Sequence, residues 1–252
     1  MRAVVALLAL SLAASAAEVS AEIYPTGPTL PANALRLHVI QDGAATLTLD
    51  DVRLTDQSGA QVAGAFLDLL LPSRDGTGVT LLFHPGRVKS GLRANLTAGR
   101  VARSGDMLTL TIGPSESRTW SIVAAETTPI PIESWQIERP VVGTHDALLV
   151  HLGRAVDALA ANRIALARTG GARVAGDGRL LPGETVWRFV PDAPWQPGSY
   201  ELRVHPDLED VAGNRICAPF EAVGLASEVC AERRIEFDLN SIAIGSTAPT
   251  EN

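Results

Sequence analysis

The chain has 252 residues, enough for two domains of ordinary size, each with its own buried core. It is 46% hydrophobic but only 4% aromatic, so its cores must be built mainly of Val, Leu, Ile and Ala. A formal net charge of -7, with no dense basic cluster, argues against nucleic acid as a partner, because phosphate backbones repel an acidic surface.

At the amino terminus, Met1-Arg2 supplies one positive charge, Val4 to Ala14 is almost wholly apolar, and Ala14-Ser15-Ala16 is a small-x-small cleavage sequence. That is the layout of a secretory signal peptide, assigned to residues 1–17. The apolar run is too short for a membrane span, which takes about 20 residues. No Cys stands at the cleavage region, so a lipid anchor is not indicated. The expected location is the periplasm or the cell surface.

Tyr24-Pro-Thr-Gly-Pro28 and Leu30-Pro31 then form a rigid, extended entry. Apolar alternation bounded by turn residues predicts strands at 34–40, 45–49, 52–55, 65–71, 79–83, 106–112 and 119–124. Gly86-Arg-Val-Lys-Ser90 lacks the Gly that a phosphate loop needs before its Lys and reads as a turn between strands. Asn95-Leu-Thr97 matches a glycosylation acceptor and is read as coincidence. Thr127-Thr-Pro-Ile-Pro131 is the expected linker, because two prolines stiffen it and cannot continue a sheet. Beyond it, strands are expected at 134–138, 147–152, 164–168, 173–175, 185–190, 199–205 and 216–222. A helical turn is expected at 157–162, a returning edge strand at 234–239 and a loose tail at 240–252.

The two halves repeat one another. Gly59-Ala-Gln-Val-Ala-Gly-Ala65 returns in the second half as Gly171-Ala-Arg-Val-Ala-Gly-Asp177. Ala34-Leu-Arg-Leu-His-Val39 returns at almost the same offset as Ala147-Leu-Leu-Val-His-Leu152, and Phe83 of Leu82-Phe-His-Pro85 answers Phe189 at a slightly shorter one. Three landmarks in one order point to a duplicated domain, with units at 24–128 and 129–239. Period-two alternation with turns every 8–12 residues predicts an all-β fold, a sandwich or a barrel for each unit.

Trp187-Arg-Phe-Val-Pro191, Trp195-Gln-Pro-Gly198-Ser-Tyr200-Glu-Leu-Arg-Val204 and Leu208-Glu-Asp-Val-Ala-Gly213-Asn214 resemble bacterial Ig-like domains of the surface-layer type. Gly198 followed by Tyr200 resembles the corner at which an Ig-sandwich tyrosine bonds back to the backbone. The first copy looks like a diverged member: it keeps Phe83-His-Pro85 and Gly91-Leu92 but has no Asp-x-x-Gly-Asn turn near its end. The resemblance implies two tandem immunoglobulin-like β-sandwiches serving as spacers, adhesion modules or accessory domains. It implies no reaction and no cofactor.

The residues that carry chemistry elsewhere have plainer readings here. Asp207, Glu209 and Asp210 concentrate carboxylates, but the spacing is not that of an EF-hand, so Asp210, Gly213 and Asn214 are read as a structural turn. Of the five His, His38 and His151 occupy matching places, which common descent explains as well as a copper or zinc site does; no metal is expected. Gly-x-Ser-x-Gly and His-Glu-x-x-His are absent, Glu133, Glu138 and Glu184 are read as solvated strand carboxylates, and catalysis is not expected. Trp187 alternates in register with Phe189 and Trp195 sits in a Pro-rich corner, so the tryptophans are assigned to packing over sugar stacking. Cys217 and Cys230 are the only cysteines and the disulfide candidate in an oxidising compartment. The expected function is a secreted, non-catalytic module that binds an envelope protein or a glycan; the alternative is an envelope receptor for a glycan or a metal ion.

Overall fold

The computed structural model describes residues 21–41, 47–89, 93–114, 116–221 and 230–240. The expected leader at 1–17 and all of the tail beyond Asn240 lie outside those residues. The first half contributes β1 (Ala21–Tyr24), β2 (Thr29–Pro31), β3 (Arg36–Gln41), β4 (Val52–Asp56), β5 (Phe66–Pro72), β6 (Gly78–Phe83), β7 (Met107–Ile112) and β8 (Glu116–Val123). They form two sheets, in the orders β1-β3-β6-β5 and β2-β8-β7-β4. The second half contributes β9 (Gln136–Glu138), β10 (Leu148–His151), β11 (Ile164–Arg168), β12 (Gly176–Leu180), β13 (Val186–Pro191), β14 (Gly198–Val204) and β15 (Arg233–Leu239). Its sheets run β12-β13-β10-β9 and β11-β14-β15.

Among these strands, β9 to β15 repeat the pairing order of the first half with β2 left out. One sheet joins the first, second, fifth and fourth strands; the other joins the third, sixth and seventh. That is the strand order of an immunoglobulin sandwich, and the fold is all-β and Ig-like.

Pairing registers carry the sequence repeat into space. Leu37 stands opposite Leu81 in the first half, and their counterparts in the repeat, Val150 and Trp187, stand opposite each other in the second. Within the repeated heptapeptide, Gln61 bridges to Thr55, and the matching Arg173 bridges to the matching Ala167. A register slip of one residue would turn every side chain to the other face, so matched registers place matched residues in each core.

Alternation builds those cores. β6 and β13 each bury every second side chain, and the buried hydrophobics fall into two clusters. One gathers around Leu37, Leu81, Leu110 and Trp120, the other around Val150, Leu166, Trp187 and Leu202. Val211, from the second half, packs in the first cluster.

Several elements differ from expectation for local reasons. Of the strand expected at 45–49, residues 45–46 lie outside the described set, and Leu49–Asp51 is a single 3-10 turn. The Asp51 carboxylate accepts from the Thr48 N–H and hydroxyl at 2.9 and 2.7 Å, and this cap wins over extension. The turn expected at 86–90 is instead a helical turn, α1 (Pro85–Val88), whose Gly86 N–H is capped by His84 Nδ1 at 3.1 Å; α2 (Arg93–Thr97) follows it. No strand forms at 216–221, because the Phe220 N–H is taken by Asn214 Oδ1 at 2.9 Å. The strand expected at 173–175 is one bridge at Arg173, and β12 begins at Gly176. The Pro-rich entry, expected only as extended chain, begins at the end of a paired strand, β1, and holds a second, β2.

Candidate functional site

The two copies meet at a joint made of short polar loops. From the first copy come the chain around Thr26, the start of β3 and the chain after β8. From the second come the β10–β11 loop, the β12–β13 turn and the start of the β14–β15 loop. A cleft of about 500 Å³ opens at this joint, walled by Pro25, Pro31, Glu126, Arg154, Pro182 and Val211.

Three buried carboxylates of the second copy hold the joint. Asp157 caps a 3-10 turn (Ala158–Arg163) with one oxygen, accepting from Leu159 N–H at 2.9 Å. Its other oxygen meets His38 Nε2 at 3.0 Å and Arg36 Nε at 3.1 Å, while His38 Nδ1 lies 2.9 Å from the Thr80 hydroxyl. Arg36 also reaches Glu209. Burial pushes the Asp157 carboxyl up, but the His38 hydrogen bond and the His38 and Arg36 charges outweigh it and hold it below the ordinary value of 3.8.

Glu184, read from sequence as solvated, is 1% exposed. It sits at φ 52, a rare conformation for a side-chain-bearing residue, and this aims its carboxylate across the joint. There it accepts from the Thr26 N–H at 2.9 and 3.1 Å and from the Thr26 hydroxyl at 2.6 Å. The Gly183 N–H in turn donates to that hydroxyl at 2.7 Å. The sequence carries no sign of this, since Thr26 and Glu184 are 158 residues apart.

Asp210 is the third. The turn read at Asp210, Gly213 and Asn214 closes on its carboxylate, which accepts from Ala212 N–H, Asn214 N–H and Asn214 Nδ2, each at 2.9 Å. Gly213 takes φ 81, and a Cβ there would stand 2.8 Å from Leu35 Cδ2 of the first copy. Arg154 lies 2.9 Å from Asp210 and also donates to the carbonyls of Thr128 and Pro129, both at 3.1 Å. The stretch expected as a stiff linker is thus pinned by a guanidinium as well as stiffened by proline. Burial pushes the Asp210 carboxyl above its ordinary value. The turn also touches the first copy directly: Leu35 N–H donates to Val211 O at 2.9 Å, and Asn214 Nδ2 to Glu126 O at 3.0 Å.

Cys217 and Cys230 are joined in a disulfide with Cα atoms 5.9 Å apart, closing the same β14–β15 loop. Replacing both by Ser is expected to cost about 3 kcal/mol on loop entropy, read as a lower urea midpoint with a slope that does not fall, since the freed unfolded chain is less compact. An unchanged midpoint would show that the loop is held without the bond.

Other sequence candidates lie apart. His38 is in the joint, whereas His151 is on the exposed side of β10, 3.6 Å from Glu138. Among the described residues, no three His, Cys, Asp or Glu side chains are grouped to hold a metal. Trp120, Trp187 and Trp195 are buried, and Trp195 donates its ring N–H to Asp146 O at 2.8 Å. Tyr200 forms the corner: its hydroxyl donates to Gln196 O at 2.8 Å and accepts from Arg168 at 2.8 Å. No described helix is long and apolar enough to cross a membrane.

The joint titrates with two opposed signs. Asp157 stabilises the fold fully above its ordinary value of 3.8, and that contribution is lost as pH falls through its lower folded value. Asp210, raised by burial, has the opposite sign: its pH-linked contribution is full below the ordinary value of 3.8 and is lost as pH rises through its higher folded value. Asp157→Asn is therefore expected to lower stability at neutral pH and to flatten its fall as pH drops below the ordinary carboxyl value of 3.8. Denaturant midpoints against pH measure this, and equal acid slopes in both proteins would contradict it.

No protein-family model and no curated protein matches the chain. Among solved structures, it is similar to domains 5-6 of the S-layer protein SbsC, at 12% identity and TM-score 0.25 over 89% of this chain and 99% of that one. The tandem Ig repeats of Dlar match at 13% identity and TM-score 0.26, over 78% of this chain and 93% of that one. Titin domains z1z2, solved in complex with telethonin, match at 11% identity and TM-score 0.25, over 89% and 97%.

Proposed function

We propose that the chain is an exported bacterial protein in which a leader at 1–17 precedes two Ig-like sandwiches, 24–128 and 129–239. In this reading it serves as a non-catalytic structural or protein-interaction module of the envelope, in the periplasm or at the cell surface. One observation carries the reading: Asp157, Glu184 and Asp210 are spent on the joint, each satisfied by named donors. A frame fixed in this way presents its loops and strand edges pre-ordered, which lowers the entropic cost of binding a partner. The disulfide supports an oxidising compartment. Burial of Trp120, Trp187 and Trp195 favours a protein over a glycan as the partner.

Two experiments test this. Residues 1–24 fused to a reporter enzyme active only after export are expected to give activity, and cytosolic retention of the fusion would remove the export claim. Photo-cross-linking of the purified chain in envelope extract, with metal analysis of the same sample, is expected to yield one reproducible protein adduct and no stoichiometric metal. Stoichiometric metal, or no adduct, would overturn the module reading.

A further inference from the structure

The two copies differ at one strand position. In the first, the final strand β8 carries a parallel neighbour, β2, with Thr29 opposite Ser121, Leu30 opposite Ile122 and Pro31 opposite Val123. The Ser121 N–H donates to Pro28 O at 3.0 Å, the Ala32 N–H donates to Val123 O at 3.1 Å, and Leu30 is buried in the core. In the second copy, the strand matching β8 is β15: Arg118 stands opposite Leu110 as Ile235 stands opposite Leu202. Carried along the strand, that alignment makes Asp238, Leu239 and Asn240 the counterpart of the edge that β2 covers. Among the described residues, no strand pairs with it.

The segment that would fill the place is turned elsewhere. By the offset of the sequence repeat, the counterpart of β2 is Val141–Thr144, and these residues wrap Trp195: Gly143 N–H donates to Trp195 O at 2.8 Å, and Trp195 N–H to Thr144 O at 2.9 Å. Val141 is left 44% exposed.

We infer that the open edge of β15 is a docking site for an extended segment of a partner protein, added as a parallel strand. This rests on reading the chain as an interaction module and names the surface it uses. β2 shows the occupant's form, a short stretch with a Leu-sized side chain entering beside Leu239. Charge sets its chemistry. Arg234, Glu236 and Asp238 are exposed along β15, a pattern that stops edges from pairing indiscriminately. Arg234 meets Glu201 and Glu232, and Asp238 accepts from Ser199, while Glu236 has no ion pair among the described residues. The fitting segment therefore carries basic residues opposite Glu236 and Asp238 and an apolar residue next in line, with main-chain bonds supplying affinity.

The probe is a peptide of the chain's own residues 26–34 carrying G27K and T29K, titrated into the isotope-labelled full chain and followed by amide NMR. The expected result is shifts confined to β15 around Asp238–Asn240, with slowed exchange of the Asp238 amide. N-methylation of the peptide at the place of Ala32 removes one donor and is expected to weaken binding about two- to tenfold, given the usual worth of one hydrogen bond. L30D in the peptide is expected to abolish binding. Shifts that map elsewhere, or none, would overturn the proposal. So would amides at 238 and 240 already protected in the free chain but released in one ending at Asn240, since the protein would then fill its own edge. Failure of the peptide leaves the cross-linking test standing, whereas a bound peptide without any envelope adduct removes the module and keeps the edge site.

Discussion

Arg154→Met is expected to destabilise the protein by about 3–5 kcal/mol, the cost of stripping one partner from a buried ion pair. The side chains of Arg154 and Asp210 are 15% and 2% exposed, so the carboxylate left behind has little water to turn to. The same change frees the carbonyls of Thr128 and Pro129, so the loss should appear in how the two copies are held together as well as in one of them. Adding Asp210→Asn to Arg154→Met is expected to recover only part of the loss: no buried charge then stands alone, but the new amide NH2 faces the Asn214 Nδ2 donor. Urea unfolding of the two variants measures this. A cost of Arg154→Met near the roughly 0–1 kcal/mol of a surface pair would mean that the joint is wet and the guanidinium dispensable.

Trp187→Ala is expected to cost a comparable amount, about 3–5 kcal/mol, as a large buried ring is lost from a core that cannot fully collapse around the gap. The ring also donates to Ala161 O at 3.2 Å, which would be left with the Ile164 N–H as its donor. A sharper test uses the neighbouring strand. A Cβ on Gly178 would lie 2.7 Å from the Trp187 ring, so Gly178→Ala is expected to cost about 1–3 kcal/mol by overpacking. In the first copy the matching positions are Phe66, opposite Phe83, and Leu81, so a side chain is tolerated where the ring is absent. Gly178→Ala should therefore cost little in a Trp187→Leu background. Strictly additive effects in this double-mutant cycle would contradict direct packing of the two sites.

Strands stand out in the sequence where one face is core and the other water. The expected span 164–168 is the observed β11, and 79–83 differs from β6 by one residue. Strands are lost where the pairing partner, rather than alternation, decides. Thr29–Pro31 has two prolines in reach and too few residues for a pattern, yet it pairs with β8 because Leu30 has a core to enter. Conversely, 216–221 looks strand-like but its backbone is claimed by Asn214, a side-chain contact that hydrophobic periodicity does not register. The joint is the least legible part. Asp210 and its turn are visible because turn chemistry is local, but Glu184 looks like an ordinary exposed carboxylate. Its partner, Thr26, belongs to the other copy, and no spacing rule links the two.

What residues alone determined is the internal repeat and the all-β class, because both rest on period and repetition, which are properties of a one-dimensional string. Apolar side chains at every second position leave water together on one face of a sheet, and a sequence written twice does so twice. How the two results are joined was decided in three dimensions. Hydrogen bonds and ion pairs act over a few ångströms between groups that the chain separates widely, so only the folded molecule shows which carboxylate meets which donor. The same holds for the strand edges: a string can mark a strand, but which side of it is left without a neighbour depends on where every other strand has gone.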